Sequence, residues 1–166
     1  MDLMVEPAGW ACWGARRMRC ALGKGGVRTA KREGDGATPA GTLAMRRLLY
    51  RPDRGAVPKT GLPTAPITRD DGWCDDPADA AYNQPVKLPY PARAEHLWRT
   101  DRLYDLIVVL GYNDQPVVAG AGSAIFLHVA AIDYTPTEGC VALAPEDLRR
   151  VLAEAGATSR VIIASS

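Results

Sequence analysis

Glycine and proline interrupt this chain too often for long helices. The 166 residues include 16 Gly and 13 Pro, scattered between short apolar segments rather than gathered in one tract. Proline inside a helix removes a donor and costs about 3 kcal/mol, and glycine costs about 1 kcal/mol relative to alanine. The pattern therefore suits short strands joined by turns more than long helices. With no repeat, no low-complexity tract and no linker, the length suits one domain over residues 1–166 with a core of its own.

Individual elements are clearest in the second half. Leu106-Ile107-Val108-Val109-Leu110 is a continuous apolar run, as expected of a strand buried on both faces. Asn113-Asp114-Gln115-Pro116 reads as a turn, with Val117-Val118-Ala119 returning as the second arm of a hairpin. Residues 124–129 alternate: Ile125, Leu127 and Val129 share one face of a strand, and Ala124, Phe126 and His128 the other. A helix is predicted from Pro145, with Glu146 and Asp147 at its positive end. Leu148, Val151, Leu152 and Ala155 form its apolar stripe, and Gly156 closes it. Arg160 to Ala164 reads as a last strand. Earlier in the chain, residues 31–41 form a turn-rich polar loop and 42–50 a strand. Residues 52–91, proline-rich and weakly periodic, read as a surface excursion with little regular structure.

Bulk properties exclude several function classes. A net charge of +1 gives no field to attract nucleic acid or an anionic membrane, and with a single Phe and no basic-aromatic alternation nothing suggests a base-stacking surface. No apolar run is long enough to span a bilayer. Asp2 and Glu6 do not suit the basic start of a secretion signal, and no long apolar run follows. The sequence as it stands predicts a cytoplasmic protein, or a periplasmic one if a leader has been trimmed. Cys12, Cys20, Cys74 and Cys140 are too dispersed for a metal site, and no cofactor motif is complete. Gly23-Lys24-Gly25-Gly26 and Gly120-Ala121-Gly122-Ser123 read as turns. Asp70-Asp71 and Asp75-Asp76 read as solvated loop charges.

The chemistry concentrates in one place. Cys140 lies in Thr137-Glu138-Gly139-Cys140-Val141, twelve positions after His128. Glycine before a cysteine lets a substrate approach the backbone, and a histidine can take the thiol proton to leave a nucleophile. The bland alternative is a buried structural cysteine, which Val141, Ala142 and Leu143 favour; from the pattern alone the two are evenly matched. The other histidine, His96, lies among charged residues with no nucleophile near it and reads as a surface or packing residue.

Three stretches make the chain resemble the YkuD-type L,D-transpeptidases: Lys31 through Gly41 with Thr38-Pro39-Ala40-Gly41, Leu103 through Asn113, and Ser123 through His128 followed by Thr137-Glu138-Gly139-Cys140-Val141. They span most of the chain from about residue 20. The resemblance implies a mainly β fold, a β-sandwich of mixed sheets with a few short helices, one near the C-terminus. It implies Cys140 as nucleophile and His128 as base, with the backbone N–H groups of Gly139 and Cys140 as oxyanion donors and a carbonyl near Val129 orienting the ring. Thr137, Ser123, Tyr112 and Asn113 are the candidate substrate-binding residues by proximity to the motif. The implied substrates are peptidoglycan stem peptides or muropeptides, attacked at the L,D bond between diaminopimelate and D-alanine. Water would complete an L,D-carboxypeptidase reaction and an amine a transpeptidase reaction, and carbapenems would acylate the same cysteine. A peptidoglycan-binding module without activity, or a general cysteine peptidase, are the competing readings. Glu138 stands where the commoner motif has histidine, and Ala142 where it often has Asn or Arg. The interval from His to Cys is also shorter than usual. A carboxylate aimed at the thiol would oppose its ionisation, so Glu138 is expected to point away.

Overall fold

The computed structural model describes residues 1–166. In chain order its elements are β1 (Leu3–Glu6), β2 (Trp10–Trp13), β3 (Arg16–Ala21), β4 (Val27–Arg28), β5 (Thr38–Pro39), β6 (Gly41–Tyr50), β7 (Thr64–Pro66), β8 (Asp71–Cys74), β9 (Pro85–Lys87), β10 (Ala94–His96), β11 (Leu106–Leu110), β12 (Phe126–Val129), β13 (Val141–Leu143), α1 (Pro145–Glu154) and β14 (Arg160–Ile163). The principal sheet runs β11-β12-β13-β3-β2-β1-β14-β6-β7, and β11 also pairs with β6. All of it except β7 therefore closes into a barrel-like ring. Pairing is mixed: β1 with β14, β12 with β13 and β6 with β7 are parallel, and the remaining pairs of this sheet are antiparallel. The fold is mainly β, as expected, but one continuous sheet closing on itself takes the place of a sandwich of separate sheets, and α1 is the only helix. It is too short to cross a membrane.

The barrel interior is filled from alternate strand positions. Leu127 and Val129 of β12 meet Leu106, Val108 and Leu110 of β11 in the main core. The opposite face carries Phe126, Ile107 and Val109 in a second cluster outside the barrel. This is the predicted alternation, although the strand begins at Phe126 rather than Ala124 because Ala124 adopts a left-handed φ of 53°. Leu148, Val151 and Leu152 of α1 are fully buried in the main core, each contributing about 1.5–3 kcal/mol by burial. A helix of this length is marginal alone, so this apolar face holds it. It ends on Ala155 in extended conformation rather than on Gly156, and the Ala155 N–H caps the carbonyls of Val151 and Leu152.

Two expectations fail for the same reason, a distant pairing partner. Residues 117–119 do not return as a hairpin arm; β11 pairs with β12 and β6 instead, and the intervening chain is a long loop. Residues 52–91 are not a structureless excursion either. They hold β7, β8 and β9, and β8 joins β9 and β10 in a separate three-stranded sheet. That sheet covers the outer face of β11 and β12: Trp73 packs edge-on against Phe126 at 5.1 Å, and Ile67, Leu97 and Tyr104 complete the cluster. β11 is buried throughout because the barrel core lies on one side and this cover on the other. Arg51 anchors the cover where it leaves the barrel. Its guanidinium is almost fully buried, bonded to Asp53 and to the Arg99 carbonyl and stacked on Trp98.

Candidate active site

His128 and Cys140 sit on neighbouring parallel strands. In the register of β12 and β13, Leu127 faces Val141 and His128 faces Ala142, which places Cys140, just before β13, beside Phe126. Phe126 and Cys140 belong to the outer cluster and Leu127 and Val141 to the barrel core, so His128 and Cys140 share the outer face as diagonal neighbours. Both line a cavity of about 650 Å³. Its other walls come from the loop before β5, the small sheet and the segment leading to Cys140.

The thiol is held between two backbone groups. It donates to the Ala124 carbonyl at 3.3 Å and accepts from the Phe126 N–H at 3.4 Å. His128 Nδ1 bonds to the Val129 carbonyl at 2.9 Å. This assigns the proton to Nδ1 and leaves Nε2 as the acceptor. No hydrogen bond joins the two residues in this conformation; the cavity brings them together and Ala124 holds the thiol proton. Burial pushes the Cys140 thiol up to about 12, assisted by the Glu95 carboxylate and opposed by the Phe126 N–H and the Lys31 ammonium. Burial likewise drives His128 down to about 4. The resting pair at neutral pH is therefore a neutral thiol and a neutral imidazole. Alkylation of Cys140 by iodoacetamide, read by peptide mass mapping, is expected to be slow at pH 7 and to keep rising past pH 10. A plateau near pH 7 would instead show a thiolate–imidazolium pair at rest.

The segment before the cysteine is fixed by tight backbone contacts. Gly139 has φ 137°, and a Cβ there would lie 2.8 Å from the Ala37 carbonyl oxygen. Only glycine lets the loop before β5 pack this closely. Gly139→Ala is expected to cost about 2–3 kcal/mol through strain and this clash, read as a lowered denaturation midpoint; unchanged stability would contradict the geometry. The Gly139 N–H is already given to Thr137 Oγ1 at 3.2 Å, whose hydroxyl donates to the Cys140 carbonyl at 2.7 Å. Cys140 N–H has no partner within the chain. Of the two expected oxyanion donors, the Cys140 N–H is thus free and the Gly139 N–H is engaged. Behind Gly139 lies the Lys31 ammonium, its side chain only 3% exposed and paired with Asp35 at 2.9 Å. Glu138 points outward, as expected, and pairs with Lys24 at the surface.

Thr137 and Ser123 reach the cavity, whereas Tyr112 and Asn113 do not. Tyr112 spends its hydroxyl on the Ala121 carbonyl. Asn113 spends its side chain on Val118 and Gly122, so both brace the loop after β11 instead of lining the site. His96 is exposed on the small sheet and takes no part.

Several site residues escaped the sequence reading. Tyr104 packs edge-on against His128 at 5.2 Å, and its hydroxyl bonds to Glu95. Asn83 accepts from Trp73 Nε1 and from the Ala124 N–H, both at 3.0 Å, while its amide donates to the carbonyls of Tyr112 and Asn113. It thereby clamps the strained Ala124 whose carbonyl holds the thiol. Glu33 accepts from Tyr82 and from Ser123, tying the loop before β5 to the cover. Each of these lies far in sequence from the group it supports, so no local motif marks it.

Compared with models of known protein families, residues 12–163 match the L,D-transpeptidase catalytic domain, YkuD. No curated protein and no solved structure matches the chain.

Proposed function

The chain belongs to the YkuD family of L,D-transpeptidase catalytic domains, and on that premise we propose that Cys140 is its nucleophile and His128 its general base. The observation that carries the proposal is the placement of these two side chains on one face of β12 and β13 against a single cavity. The substrate is a peptidoglycan stem tetrapeptide. Rotation of the Cys140 side chain takes the thiol from the Ala124 carbonyl to His128 Nε2, which accepts its proton as sulfur attacks the carbonyl of the third residue. The Cys140 N–H meets the developing oxyanion; such a donor lowers the barrier by roughly 3 kcal/mol. The imidazolium, still bonded to the Val129 carbonyl, returns the proton to the departing amine of D-alanine. The acyl group then leaves on water or on an amine.

Two features favour a mechanism that starts from the neutral pair. Burial holds His128 neutral throughout the physiological range, and burial likewise keeps the Cys140 thiol protonated there. Incubation with a disaccharide tetrapeptide, with products read by mass, tests the proposal and separates its two outcomes. Tripeptide alone means hydrolysis, cross-linked dimers mean transpeptidation, and cleavage of ordinary L,L-peptides but not of the L,D bond would overturn it.

A further inference from the structure

We propose that Glu95 is the recognition group for an ammonium carried by the peptide substrate, an inference that rests on the reading of Cys140 and His128 as the reacting pair. Glu95 projects from β10 opposite Trp73 of β8 and lines the same cavity as Cys140 and His128. One carboxylate oxygen accepts the Tyr104 hydroxyl, and neither oxygen has a Lys, Arg or His at ion-pair distance. The cations nearby are already committed. Arg99 is held by three hydrogen bonds to Asp101, and Arg93 pairs with Asp75.

Glu95 is half-buried, and a carboxylate partly withdrawn from water without a counter-charge is costly to ionise. Burial accordingly raises the Glu95 carboxyl to about 6, so it is charged but uncompensated at neutral pH. The charged and titratable groups around it are Tyr104, Arg99, Arg93, Asp75 and Glu33, with Cys140 and His128 beyond them; both arginines are already paired. Beyond the Tyr104 hydroxyl, the fold itself supplies no ion-pair partner for this carboxylate. The cavity is the route by which a compensating cation arrives, and an ammonium group supplies both the charge and a donor to the oxygen that Tyr104 leaves open. In a stem peptide that ammonium belongs either to the side chain of a diamino third residue of the donor or to the acceptor amine.

Binding to the Cys140→Ala protein tests this independently of turnover. Calorimetry would use two tetrapeptide stems that differ only at the third residue, lysine or norleucine, in the presence of Glu95 and of Glu95→Gln. The lysine stem is expected to bind roughly 10- to 100-fold more tightly than the norleucine stem. Glu95→Gln should erase that preference and leave norleucine binding within about twofold. The preference should also fade as the pH falls through about 6, where Glu95 takes up its proton. If the stems bind alike, the acceptor arm decides. In the protein with Cys140 intact and a norleucine donor, Glu95→Gln should then lower the share of product formed with an added amine relative to water. Equal loss for both stems, or no loss in either arm, overturns the proposal. Failure of the intact protein to release D-alanine from any stem would instead count against the reading of Cys140.

Stability gives a readout that a merely structural glutamate would not. The folded carboxyl titrates above its ordinary value, so its penalty is absent below about 4.5 and fully present above about 6. Glu95→Gln should therefore raise the melting temperature at pH 7.5 and lose that advantage near pH 4. A lowered melting temperature at pH 7.5 would show that Glu95 serves only to hold Tyr104.

Discussion

Replacing Cys140 with alanine is expected to abolish release of D-alanine from a tetrapeptide stem, a loss on the order of a millionfold, while leaving the fold intact. The side chain is buried among Ala124, Phe126 and Tyr104 in the outer cluster. Its two hydrogen bonds are to backbone groups at sulfur distances, and such contacts contribute little. Removing one sulfur atom here should cost about 1 kcal/mol or less of stability, and the denaturation midpoint checks this. The β12–β13 register and the cavity do not depend on the sulfur, so the variant should still bind the stem peptide. Retained turnover would place the nucleophile elsewhere.

The second large effect is at His128. Its replacement with glutamine is expected to lower kcat/KM by about 10²–10⁴-fold by removing the proton acceptor. The pH profile is more diagnostic than the magnitude. Burial lowers His128 to about 4, so with a donor that carries no amine the acidic limb of kcat/KM should lie near pH 4 rather than near the usual histidine value. Stability carries the same signature. The histidine of the unfolded chain protonates below about 6.5 while the folded one resists to about 4. The wild-type fold therefore has its full stability above 6.5, and this residue withdraws about 3 kcal/mol as the pH falls to 4. His128→Gln should lack that part of the acid sensitivity. A wild-type acidic limb near 6.5, or an identical acid response in the two proteins, would show that the imidazole is solvated rather than buried against Tyr104.

These consequences were only partly legible in the sequence. The alternation over 124–129 put His128 on the face of Phe126, and the structure places it there because Leu127 and Val129 fill the barrel. The apolar run of β11 and the stripe of α1 were legible for the same reason: each is a local period serving one core. The small sheet was not. Its strands are three or four residues long, too short to show a period, and its buried residues Trp73, Tyr82 and Leu97 are isolated among prolines and charges. Glu95 sits opposite Trp73 only through the pairing of β10 with β8, so its place in the cavity could not be read from its neighbours. Tyr112 and Asn113 looked like wall residues by proximity to the motif, but their hydrogen-bonding groups are consumed within the loop they brace. The resting direction of the thiol likewise depends on Asn83 and the left-handed Ala124, more than forty residues apart in sequence.

The departures from the commoner motif also have a structural account. Glu138 is harmless to the thiol because it turns to Lys24 at the surface. Ala142 contributes no charge, but the Lys31–Asp35 pair buried behind Gly139 supplies a cation on the far side of the segment that leads to Cys140. That ammonium draws the thiol down against the larger effect of burial.

With Cys140 as the nucleophile, the stem peptide becomes covalently attached to it when the terminal D-alanine leaves. Intact-protein mass spectrometry after rapid acid quench of the protein with a tetrapeptide stem tests it most directly. A species heavier by the acyl tripeptide, mapped to the peptide containing Cys140, is expected in the wild type and not in Cys140→Ala. D-alanine release with no adduct at any quench time and undiminished in Cys140→Ala would contradict it.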